Sequence, residues 1–116
     1  MSKVTIWHNP RCSKSRNAVA FLEEQGVDME VVKYLETPPS RAQLTAVLDM
    51  LGLSARGLMR TKEDIYKELG IKDITDEDTL IGLMVANPKL IERPIVIKEG
   101  KAAIGRPIEN IVDLLK

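Results

Sequence analysis

One stretch constrains this chain more than any other: Val4-Thr5-Ile6-Trp7-His8-Asn9-Pro10-Arg11-Cys12-Ser13-Lys14-Ser15-Arg16. Val4, Thr5, Ile6 and Trp7 are β-branched or aromatic and predict a strand, which the turn-forming pair Asn9-Pro10 ends. The chain's one cysteine, Cys12, follows at once. Behind it Ala18, Val19, Phe21 and Leu22 recur at helical spacing, and Gly26 suits the position just past a helix end. Strand, loop and helix in this order place Cys12 at or just before the first helical turn. Backbone N–H groups there lack intrahelical partners and the helix dipole is positive, a setting that stabilises an anion such as a thiolate.

An ordinary thiol is only about 3% ionised at pH 7, and a helix terminus contributes roughly 0.3 to 2 kcal/mol toward the anion. Neighbouring cations and donors must add to that. His8, Arg11, Lys14, Arg16 and the hydroxyls of Ser13 and Ser15 are close in sequence. Lone cysteines are most often small buried hydrophobes. Over residues 9–17, however, no large hydrophobe occurs, so core packing does not account for Cys12 and a reactive role does.

The rest of the chain supplies the elements around that unit. A second strand is expected over 29–35, centred on Val31 and Val32 and broken by Thr37-Pro38-Pro39, which completes a βαβ unit. Ser40 and Gln43 form a capping-box signal for a helix carrying Leu44, Val47, Leu48 and Leu51 up to Gly52. Ser54, Thr61 and Thr75 can cap three further helices, running to Arg60, to Leu69 and through Val85. This block, roughly 40–90, reads as a helical insertion. Ile95-Val96-Ile97 and Ala102-Ala103-Ile104 flank a tight turn at Gly100, and Pro107 suits the first position of a last helix bearing Ile108, Ile111, Val112 and Leu115. The pattern βαβ, helices, ββα fits an α/β thioredoxin-like fold around a mixed sheet, but pattern alone also admits a ferredoxin-like sandwich.

A chain of 116 residues is expected to form a single domain with a core of its own. Lys plus Arg equals Asp plus Glu at 17 each, so no general attraction to nucleic acid or to an anionic membrane is expected. One cysteine cannot form an internal disulfide, and no apolar run of signal or membrane length occurs near the start. Both point to a cytoplasmic protein whose redox partner lies outside the chain. One histidine and one cysteine make a metal site built from these residues unexpected.

Three arginines stand at predicted element boundaries: Arg60 after Leu58-Met59, Arg93 before Pro94, and Arg106 between Gly105 and Pro107. Taken singly, each reads as a solvated surface charge. The Arg93-Pro94 bond, just before a strand, can be cis or simply start an edge strand. His8, four residues before Cys12, can stabilise a thiolate or relay a proton.

Together with His8 to Arg16, the segments Tyr34-Leu35-Glu36-Thr37-Pro38-Pro39-Ser40, Leu58-Met59-Arg60, Asn87-Pro88, Ile91-Glu92-Arg93-Pro94-Ile95-Val96 and Gly105-Arg106-Pro107 carry a resemblance. The chain resembles the thioredoxin-fold arsenate reductases that work with glutathione and glutaredoxin. The resemblance spans nearly the whole chain and implies the thioredoxin-like fold. It also implies Cys12 as nucleophile, Arg60, Arg93 and Arg106 as the groups that hold the oxyanion, and Pro94 as a cis-proline facing the cysteine. Glutathione would be a consumed reductant, with no tightly bound cofactor.

Ser15 stands where dithiol members of the wider fold carry the second cysteine of C-x-x-C, and Ala18 stands six residues after Cys12 where phosphatase-like arsenate reductases need arginine. Neither of those routes is open to this chain. Two other readings remain at this point. One is a regulatory module of the same fold that binds RNA polymerase, and the other a glutathione-dependent thiol or disulfide reductase with a different substrate.

Overall fold

The computed structural model describes residues 3–105 and 108–115. The chain divides into two compact units, one formed by the segment up to Thr37 with the segment from Arg93 onward, the other by Pro38–Glu92.

In the first unit, strands β1 (Lys3–Trp7), β2 (Asp28–Val32), β3 (Ile95–Lys98) and β4 (Lys101–Ile104) form one sheet in the order β2-β1-β3-β4. β1 runs parallel to β2 and antiparallel to β3, and β3 is antiparallel to β4. Between the parallel pair lies helix α1 (Ser13–Glu24), and helix α6 (Glu109–Leu115) follows β4. Alternation along the strands sends Val4, Ile6 and Val96 to one face, where they pack with Ala18 and Leu22 of α1 and Ile111 of α6, all fully buried. The hairpin turns through Glu99 (φ 48°) and Gly100 (φ 78°). Two successive positive φ values define the primed turn that matches strand twist, which is why a glycine stands there.

Register fixes what meets at one end of this sheet. Trp7 pairs with Val32 and with Ile95, and Ile95 pairs with Ile104. The loop after β1, the turn after β2, Arg93-Pro94 before β3 and Gly105 after β4 therefore share that end. The Arg93-Pro94 bond is cis. Gly105 donates its N–H to the Pro94 carbonyl at 2.8 Å, and a Cβ on it would stand 2.7 Å from Ile111 Cδ1 and 2.8 Å from Pro94 Cγ. Pro94 is buried and Ile111 fully so. Gly105→Ala is thus expected to cost about 1–3 kcal/mol by overpacking, seen as a lower urea midpoint. An unchanged midpoint would show that this contact relaxes freely.

The second unit is helical: α2 (Arg41–Leu51), α3 (Ala55–Leu58), α4 (Asp64–Glu68), α5 (Glu77–Ala86) and a 3-10 turn at Pro88–Leu90. α5 packs on α2, α3 and that turn. The capping box at Ser40 and Gln43 is present in full. The Arg56 guanidinium is bonded to the Tyr66 hydroxyl and to the carbonyls of Ile71 and Ile74, pinning the segment after α4.

Several boundaries differ from expectation. β2 stops at Val32, not Leu35, because the Lys33 carbonyl accepts the N–H groups of Glu36 and Thr37, turning the chain there. α3 ends at Leu58, and Met59 instead bridges to Ile91. α4 begins after Glu63, not Thr61, since the Glu63 N–H is bonded to the Arg60 carbonyl in a turn that precedes it. α5 is capped by Asp76, not Thr75: its carboxylate accepts from the N–H and hydroxyl of Thr79. Those bonds hold the Asp76 carboxyl below the ordinary carboxylate range. Pro107 lies outside the described residues. Among the described residues, no helix is long and apolar enough to cross a membrane.

Candidate active site

Cys12 is the N-cap of α1, with extended backbone (φ −95°, ψ 123°). Its N–H donates to the Asn9 carbonyl at 3.0 Å, and its own carbonyl receives the first intrahelical bond, from Arg16 N–H, also at 3.0 Å. The N–H groups of Ser13, Lys14 and Ser15 precede that first bond, so the positive end of a 12-residue helix faces the loop that carries the sulfur. The residue is 7% exposed.

The loop is held by Ser15. This side chain is fully buried; its Oγ accepts the Asn9 N–H at 3.0 Å and lies 2.6 Å from His8 Nδ1. Asn9 Oδ1 in turn accepts the Arg11 N–H at 3.0 Å, and Arg16 Nη1 reaches back to the Pro10 carbonyl at 2.9 Å. Ser15 therefore serves here as a hydrogen-bonding post. Ser15 Oγ thus joins the loop backbone to the imidazole, with the donor of the Oγ–Nδ1 bond set by the imidazole tautomer.

His8 is itself buried. Desolvation, followed by the positive charges of Lys33 and Arg16, pushes its pKa below the ordinary imidazole value. A neutral ring lends no charge to a thiolate, so hydrogen bonding and proton relay are the roles this geometry leaves open to it.

Arg93, adjoining the cis peptide, is half-buried, with its Nε and Nη1 atoms enclosed. It belongs to the same unit as Cys12, His8, Ser15 and Pro94, whereas Arg60 belongs to the helical unit. Arg106 lies outside the described residues. The Arg60 guanidinium is bonded to Glu63, and its Nε lies 3.7 Å from Glu92. Nothing in the sequence singled out these two carboxylates. Glu63 lies three residues from Arg60 within a turn and Glu92 is distant in the chain, joined through the Glu92 N–H bond to the Leu58 carbonyl at 2.9 Å.

The profile of the ArsC family matches residues 7–114. The chain belongs to the ArsC family. An arsenate reductase of Neisseria meningitidis serogroup A is 54% identical over 99% of this chain and 100% of its own. The uncharacterized protein YfgD of Escherichia coli K12 is 56% identical over 97% of each chain. Among solved structures, an arsenate reductase from Vibrio cholerae superposes with a TM-score of 0.91 at 48% identity, covering 96% of both chains. The fold is the thioredoxin-like fold of ArsC proteins, with its sheet in the first unit.

In this ArsC protein the state of His8 gives a measurable pH dependence. The unfolded chain takes up the imidazole proton near pH ~6.5, the folded chain only at lower pH. The unfolded state therefore binds more protons between the two values. The His8 contribution to stability is complete above about pH 6.5 and is lost as pH falls through that value toward the folded pKa. The urea midpoint is expected to drop between about pH 7.5 and 5.5, and by less in His8→Asn, whose amide can replace Nδ1 without titrating. Equal drops in both proteins would assign the acid sensitivity to other groups.

Proposed function

We propose that the protein is an arsenate reductase coupled to glutathione and glutaredoxin. The observation that supports this most is the chain's cysteine at a helix N-cap, in an ArsC chain whose relatives include arsenate reductases. Arg60, Arg93 and Arg106 hold the arsenate dianion; planar guanidinium groups offset its repulsion from a thiolate and match its oxygens. The Cys12 thiolate attacks arsenic, an As–O bond breaks, and the oxygen departs as water after protonation. A glutathione thiolate then attacks the Cys12 sulfur. The S–As bond breaks with its electron pair moving to arsenic, so As(V) becomes As(III) and leaves as arsenite, while the two sulfurs are oxidised to a mixed disulfide. Glutaredoxin reduces that disulfide and returns Cys12. No tightly bound cofactor takes part.

Arg60 enters this scheme already engaged by Glu63 and Glu92. An oxyanion must compete with those carboxylates, so Glu63→Gln is expected to lower the KM for arsenate severalfold. A raised or unchanged KM would remove Arg60 from the oxyanion site or make Glu63 its positioning partner.

The deciding experiment uses purified protein with arsenate and glutathione while glutaredoxin is withheld. One glutathione is expected to accumulate on the protein, visible by intact mass and absent in Cys12→Ser, and glutaredoxin should clear it and restore multiple turnovers. Arsenite formed without the adduct, or turnover sustained by thioredoxin alone, would overturn the glutathione coupling. Absence of arsenite under all conditions would overturn the activity.

A further inference from the structure

Beside the nucleophile loop lies a cavity of about 260 Å³, walled by His8, Asn9, Pro10 and Arg11 on one side and by Lys33, Leu35 and Glu36 on the other. The sequence builds it in two steps. The His8 N–H donates to the Val32 carbonyl at 2.8 Å, which ties the start of the loop to the end of β2. The Lys33 carbonyl then takes the N–H groups of Glu36 and Thr37, and Tyr34 is buried beneath that turn at 1% exposure. Leu35 and Glu36 are thereby folded back toward the loop. Among the described residues β2 is the outer strand on this side of the sheet.

Its chemistry selects a kind of occupant. Pro10 and Leu35 contribute apolar surface to the lining; Arg11 and Lys33 supply two cations, and Glu36 one carboxylate, all three exposed. A five-atom oxyanion would leave most of this volume empty, whereas small-molecule pockets begin at about 300 Å³, close to what is found here. The complementary ligand has carboxylate groups for Arg11 and Lys33, an ammonium for Glu36, and a short chain between them. Arg11 is joined directly to Cys12, whose Cα is about 3.8 Å away across one trans peptide. A molecule held in the cavity thus lies against the residue that adjoins Cys12 in the chain.

We infer that this cavity is the recognition site for the second thiol, a small zwitterionic thiol peptide of the glutathione type, whose carboxylate end is held by Lys33 and Arg11 and whose ammonium is held by Glu36. The inference rests on the glutathione-coupled reading above and deepens it. It gives that reading a source of thiol selectivity: a neutral thiol of similar reactivity lacks the charges that this wall recognises. The positive charge of Lys33 also reaches His8, the cavity residue nearest the start of the loop, so occupancy by a carboxylate would be felt at the imidazole.

The test uses S-methylglutathione, which keeps the peptide charges and cannot react, titrated into the intact wild-type chain while backbone amide resonances are followed. Resonances of Asn9, Arg11, Leu35 and Glu36 are expected to shift together along one saturable curve, and the His8 pKa to rise on saturation. In Lys33→Glu the apparent affinity is expected to fall tenfold or more, with Lys33→Arg retaining most of it; both substitutions are at an exposed turn position, and far-UV circular dichroism confirms the fold. Saturation without movement of these resonances, or equal affinity in Lys33→Glu, would overturn the assignment. So would inorganic arsenate shifting the same resonances at the same concentration, which would give the cavity to the oxyanion. Because the probe needs no arsenate and no turnover, binding lost here while arsenate reduction persists removes the cavity alone. Arsenate reduction absent while the probe binds removes the activity alone.

Discussion

Cys12→Ser is expected to abolish arsenate turnover and to leave the protein folded, or slightly more stable than the parent. A serine hydroxyl is almost un-ionised at neutral pH and is a far weaker nucleophile than a thiolate, so the loss should be on the order of 10⁴-fold or more in kcat. The stability prediction follows from the position. Residue 12 is the N-cap of α1 with extended backbone, where a serine oxygen can accept an N–H of the first turn and typically contributes about 0.5–2 kcal/mol over a non-capping residue. Cys12→Ala, which offers neither nucleophile nor cap, should lose activity equally and be the less stable of the two. Arsenite formation and urea midpoints on the three proteins separate the effects. Substantial turnover by Cys12→Ser would end the nucleophile assignment, and a destabilised Cys12→Ser would mean that the sulfur's packing outweighs the cap.

The second large effect is expected at the arginines. Arg93→Ala, Arg60→Ala and Arg106→Ala should each lower kcat/KM for arsenate about ten- to hundredfold, corresponding to roughly 1.5–3 kcal/mol per charge-assisted contact. Lysine at each position should rescue incompletely, since it restores charge without the planar fork. The effect should be felt in KM where the arginine binds ground-state arsenate, and in kcat where it neutralises charge as sulfur approaches arsenic. Wild-type kinetics in all three alanine variants would redirect the function toward a substrate that is not an oxyanion.

The parts of this protein that were legible in its sequence are those governed by neighbours in the chain. The β-branched and aromatic run Val4 to Trp7, the capping box at Ser40, the glycine turn at Gly100 and the placement of Cys12 at a helix start depend on backbone preferences and hydrogen bonds spanning a few residues. All four occur as expected. Where two local solutions were nearly equal, the pattern chose wrongly. Thr75 and Asp76 are both good caps, and only the approach of Asp76 to Thr79 decided between them; β2 ends early because the Lys33 carbonyl accepts the N–H groups of Glu36 and Thr37 and turns the chain.

What only tertiary structure decided was which side chains meet. That Ser15 anchors the imidazole of His8 seven residues away, that Arg60 lies between Glu63 and Glu92, and that Lys33 and Glu36 face the loop before Cys12 across a cavity follow from register and from the direction in which turns send the chain. Neither leaves a periodic trace in sequence, because a hydrogen bond or ion pair between distant residues needs only one suitable group on each side. By itself, then, the sequence determined the placement of Cys12 at the start of α1 and the elements that carry it. The burial that keeps His8 neutral and the partners that engage the arginine in the helical unit came from packing, because desolvation and charge pairing are set by distance in space.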